Sequence, residues 1–133
     1  MKSAIELHDS ECLAIELDSR GNGAVILDAY VRRTDGEPGL SQGEGGVQRV
    51  RIAIESMTTT GEIGSLPATI CDGSLTLDNT CVNELLALPS VYEGDLSLSL
   101  TLLDDGRSVS VSGRSASITP EDPFRFVEQV DLR

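Results

Sequence analysis

The chain has 133 residues, 39% of them hydrophobic, and a formal net charge of −12 at pH 7, enough length to bury a core of its own as one domain. Ten basic residues against 22 acidic ones argue against nucleic acid and against an anionic membrane surface, because both recruit proteins through lysine and arginine. Aromatic residues make up 3% and tryptophan is absent, a poor supply of rings for stacking sugars or single-stranded bases.

The first stretch, MKSAIELHDSE, carries Lys2 and Glu6 and no apolar leader, and no later run approaches the roughly 20 apolar residues of a membrane span. The cysteines, Cys12, Cys71 and Cys81, are odd in number, which favours reduced thiols in a cytoplasmic protein over a disulfide framework. A bridge between Cys71 and Cys81 stays open.

From the N-terminus onward, apolar and polar residues alternate with a period of two and turn dipeptides interrupt them, the pattern of an all-β chain. AIEL occurs at 4–7 and again at 14–17, an echo too short for a repeat protein. It predicts two similar strands, 3–8 and 12–19, joined by a loop at Asp9-Ser10-Glu11. That loop sets Leu7 opposite Leu13 and Ile5 opposite Ile15, with Asp and Ser in ordinary turn roles. The next strand, 24–33, places Val25, Leu27, Ala29 and Val31 on one face. GNG at 21–23 as a three-residue loop sets Leu17 opposite Leu27 and Ile15 opposite Ala29.

Residues 34–47 are dense in glycine and polar side chains and read as a loop, of a length that is usually functional or disordered. A strand at 47–56 follows, with Val50, Ile52 and Ile54 on its apolar face. Strands near 68–71 and 74–78 come next. Val82, Leu85 and Leu86 predict one helical turn over 81–88, ended by Pro89.

The clearest alternation is 95–102, where Leu96, Leu98, Leu100 and Leu102 share a face. A hairpin turn at Asp105-Gly106 would set Leu102 opposite Val109 and Leu100 opposite Val111. Strands at 107–112, 114–119 and 124–131 complete the chain. Short connections between about nine strands predict a single-domain antiparallel β-sandwich over 1–133, with a partly closed β-barrel as the alternative.

Two groups of residues carry candidate chemistry. The first-hairpin register puts His8 opposite Cys12 away from the apolar face, and a Cys–His pair favours thiolate. An exposed turn is a poor place to exclude water, and no orienting partner or oxyanion donor is named, so the reactive-pair reading is the weaker one. The second group is Tyr30, Arg32, Arg49 and Arg51, on the polar faces of 24–33 and 47–56 beside the glycine-rich segment. Guanidinium forks suit carboxylate or phosphate ligands. Asp35, Glu37 and Glu44 lie within reach in sequence and are the competing partners.

No zinc spacing, calcium loop, phosphate-binding loop or nucleophile elbow occurs in the chain. The acidic turns TDGE, CDGS, LDNT, EGD and DDG carry the residues that ordinary turns use. No cofactor, metal or catalytic residue is expected. The resulting expectation is a non-enzymatic module that binds a protein partner or a second copy of itself. The alternative is a site for a small anionic ligand at Tyr30, Arg32, Arg49 and Arg51.

Overall fold

The computed structural model describes residues 2–36, 42–61, 65–82, 85–102 and 107–130. These residues form ten strands: β1 (Lys2–Leu17), β2 (Gly23–Thr34), β3 (Gly43–Glu55), β4 (Thr58–Gly61), β5 (Ala68–Leu77), β6 (Thr80–Cys81), β7 (Leu85–Leu88), β8 (Ser90–Leu102), β9 (Ser108–Pro120) and β10 (Arg125–Val130). Every pairing is antiparallel. Six strands close on themselves in the order β1-β2-β3-β9-β8-β5 and back to β1. The remaining strands lie outside that ring, β10 on β3, β4 on β9, β6 on β5 and β7 on β1.

The all-β expectation holds, and the barrel rather than the sandwich is the architecture. Alternation alone does not separate the two, because either one buries a single face of each strand. The deciding contact is β3 with β9, from Val50↔Pro120 to Glu55↔Ser115. It joins the meander β1-β2-β3 to the meander β5-β8-β9 and removes a free edge from each. The core is the expected period-two sets: Val25, Leu27, Ala29 and Val31 of β2, Val50, Ile52 and Ile54 of β3, and Leu96, Leu98, Leu100 and Leu102 of β8 are all buried.

Long strands serve two neighbours in succession, and this is where the expected elements change. Residues 3–8 and 12–19 are not two strands of a hairpin; they are halves of β1, both paired to β2. Between Glu6↔Tyr30 and Glu11↔Asp28, four residues of β1 face only Ala29 of β2. This wide bulge bends β1 from β7, which it pairs at residues 3–6, to β5, which it pairs at residues 11–12. Segments 68–71 and 74–78 merge into β5, and 107–112 and 114–119 into β9. CDGS at 71–74 is therefore strand, and Gly73 sits where Leu7 packs against it, 3.0 Å from the position a Cβ would take.

The turns differ by even numbers of residues. Leu98 faces Val111 and Leu100 faces Val109, a shift of two from the expected register; Asp105-Gly106 itself lies outside the described residues. Ile15 faces Val25 and Leu17 faces Gly23, because the loop is five residues, 18–22. The Asp18 carboxylate closes it by accepting the N–H groups of Arg20 at 2.8 Å and Asn22 at 3.0 Å. An even slip keeps every side chain on its face, so burial gives no signal against it.

The helical turn expected over 81–88 is not formed. Leu85–Leu88 is β7, with Leu86 and Leu88 buried, covering the edge of β1. Val82, Leu85 and Leu86 have helical spacing, whereas Leu86 and Leu88 alternate as in a strand, and the open edge of β1 decides between the two.

The 34–47 segment is the other correction. β2 runs to Thr34 and β3 begins at Gly43, so residues 43–47 are sheet, between β2 and β10. The glycines are there because rings cross both faces. The Tyr30 ring lies over Gly45 and the Phe124 ring against Gly46, each where a Cβ would collide.

Cys71 and Cys81 are both free and exposed. Cys81 pairs with Thr76, which puts Cys71 about 17 Å away along β5, too far for a bridge. Among the described residues no helix is long and apolar enough to cross a membrane.

Candidate functional site

Strands β2 and β3 are neighbours in the register Asp28↔Arg49, Tyr30↔Val47 and Arg32↔Gly45. Tyr30, Arg32, Arg49 and Arg51 therefore share the outer face of one sheet. Each basic group there already meets a carboxylate. Arg32 grips Glu6 of β1 with two bonds, Nε to Oε2 at 3.1 Å and Nη2 to Oε1 at 3.3 Å. Arg49 Nε lies 3.5 Å from Asp28, and Arg51 Nη1 lies 3.6 Å from Glu16. The Tyr30 hydroxyl donates to Glu128 of β10 at 2.5 Å. Burial, then the hydrogen bond and charge of Glu128, push the Tyr30 phenol up to about 12, so it acts as a donor and not as a base.

The acids were the missing half of this face. Glu44 turns instead to Arg33, 3.5 Å away, and Glu37 lies outside the described residues. One signal was available in the sequence. The AIEL echo places Glu6 and Glu16 at the same position of its two copies, and each takes an arginine. Glu128 had no such signal, since its hydrogen bond spans 98 positions. With every arginine paired, the surface is a lattice of ion pairs, and an anion would have to displace a carboxylate to enter.

His8 and Cys12 do not face each other. Cys12 pairs with Leu27 and Ala68 and is fully buried in the core. His8 stands in the bulge of β1, half exposed, with Nε2 2.9 Å from Glu6 Oε1 and 3.7 Å from Asp9 Oδ2. Burial pushes the Cys12 thiol up to about 11, against a smaller lowering by the Ala14 backbone, which is the opposite of an activated thiol. Stability from this group is full below pH 9 and falls as pH rises toward 11, because the unfolded chain releases its proton first. Iodoacetamide at pH 8 should accordingly modify Cys71 and Cys81 and spare Cys12 until urea unfolds the chain. The check is intact mass before and after denaturation; a native chain that takes up three adducts would contradict the burial.

Donor atoms of Glu6, His8 and Asp9 lie within 4.8 Å of one another, close enough to touch one cation. Glu6 is already held by Arg32, so a metal would compete with a guanidinium. The arrangement as it stands is the chain Arg32–Glu6–His8–Asp9.

A second feature of the outer face lies beyond Arg51. Strand pairing sets Glu16, Ala24, Ala53, Ser117 and Val91 in one row across five strands, about 19 Å along the sheet. The three central side chains are small, Ala24 fully buried and Ala53 and Ser117 partly exposed, and the row underlies a groove of about 630 Å³. Leu17 and Val91 line it while 63% and 67% exposed. One wall carries Asp18, Glu55 and Glu93; Arg51 stands on the other. Nothing in the sequence pattern marks this groove, because its floor is assembled from single residues of β2, β3 and β9.

Comparison with known protein families, with curated proteins and with solved structures finds no match.

Proposed function

We propose that this barrel is a non-enzymatic protein-interaction module whose binding surface is the groove across β1, β2, β3, β9 and β8. The observation that carries the reading is an open groove with a small-residue floor and two exposed aliphatic side chains on its lining. Aliphatic side chains left in water beside a concavity are a feature of docking sites. The groups with reactive potential point away from catalysis: the Cys12 thiol is buried and the Tyr30 phenol holds its proton. Free Cys71 and Cys81 on the surface suit a reducing, cytoplasmic setting. The test is a random peptide library displayed on phage and selected on the full chain. Clones that bind the wild type and not A53W, in which an indole fills the floor, support the groove; clones indifferent to A53W remove it.

A second reading, self-association, draws on β10. Among the described residues this strand pairs only with β3, and Phe126 and Val127 are 53% and 57% exposed. A free strand edge with apolar side chains invites a further strand. Light scattering across concentrations should show dimer in the wild type and monomer in V127K; a wild type that stays monomeric at high concentration ends this reading.

A further inference from the structure

The chemistry of the groove names its occupant, an inference that rests on the reading of the groove as a docking site. We infer that it takes a short basic segment of another protein, with lysine or arginine set between small apolar residues, and not a second copy of this chain. Four carboxylates line the groove, Glu16, Asp18, Glu55 and Glu93, against the single guanidinium of Arg51. Arg51 is already beside Glu16 at 3.6 Å. Asp18 accepts two backbone N–H groups of its own loop and Glu55 accepts the Ser115 hydroxyl at 3.2 Å. Those bonds hold the carboxylates in place and leave their charges uncompensated. Among the described residues Glu93 takes no ion pair.

The floor fits the rest of such a segment. Ala53 and Ser117, partly open beside the buried Ala24, leave room for the aliphatic stem of a lysine or arginine to lie flat while its head reaches the acidic wall. Leu17 and Val91 offer apolar contact on either side. A second copy is a poor occupant on the same grounds, since it carries a net charge of −12 and would bring like charge to an acidic groove. Carboxylates at an open surface are screened by salt, so binding should weaken about tenfold when the salt is raised from 50 mM to 500 mM.

The experiment extends the library selection. Clones that require an unfilled floor are sequenced, and the corresponding synthetic peptides are titrated by fluorescence anisotropy against the wild type and against the double variant E55K/E93K. The expected result is enrichment of lysine and arginine between small apolar residues, with binding at least tenfold weaker to the charge-reversed variant and weaker in salt. Both substitutions sit at the surface, and thermal unfolding confirms that the variant is folded. Clones that need the open floor but are neutral or acidic overturn the basic occupant and leave the groove standing as a docking site. Clones indifferent to A53W overturn both.

Discussion

Replacing Ser10 by alanine should lower the stability of the folded chain by about 4 kcal/mol, from two orphaned backbone groups at about 2 kcal/mol each. Ser10 is buried at the inner end of the β1 bulge. Its hydroxyl donates to the Glu6 carbonyl at 2.7 Å and accepts the Tyr30 N–H at 2.9 Å. It thus replaces ladder bonds that the looped-out residues of β1 cannot make. Asp9 beside it has a φ of +72°, a conformation that aspartate tolerates better than most residues. Alanine offers neither a donor nor an acceptor, and the bulge is walled by Leu7 on the core side. Urea denaturation followed by circular dichroism measures the loss. A change below about 1 kcal/mol would mean that water takes over both bonds, and the hydroxyl would then not be what holds the bulge.

The second large effect is expected at Arg32. Arg32→Ala strips two hydrogen bonds from Glu6, a carboxylate with only 9% of its side chain exposed. The remaining contact is His8, half in solvent. Stranding a buried charge costs more than the intact pair contributes, and with Arg32 partly exposed the loss should be about 3 kcal/mol. The double variant E6Q/R32A should be more stable than R32A alone, because it removes the stranded charge. Equal stability of the single and double variants would show that solvent reaches Glu6 freely. Arg49→Ala, whose partner Asp28 lies 3.5 Å away at the surface, should change stability by less than about 1 kcal/mol. That contrast separates the buried member of the lattice from its exposed members.

The three arginines of this face also show what a pattern can reveal. Alternation in 24–33 and 47–56 is enough to put Arg32, Arg49 and Arg51 on the polar faces, since a strand turns alternate residues to opposite sides. It says nothing of the acids, which come from β1, from β2 itself and from β10. His8 and Cys12 were misplaced for a related reason. The expected hairpin turns Leu13 inward and Cys12 outward, but a second irregularity of β1, at Leu13 between Cys12↔Leu27 and Ala14↔Ile26, leaves Cys12 in the core and Leu13 only partly buried. The glycines of 43–46 mislead in the opposite direction. Glycine in isolation signals a loop, but beside Tyr30 and Phe124 it signals the close approach of a ring to a strand.

By itself the sequence determined the class of fold, the inward set of each long strand and the acidity of the surface, because these follow from residue type and a period of two. Tertiary structure alone decided the closure of the barrel through β3 and β9, the bulge in β1, the partner of each arginine and the groove over Ala24, Ala53 and Ser117. Each of those depends on which strands become neighbours. That choice is made by contacts between residues far apart in the chain, and local alternation is the same whichever neighbour is chosen.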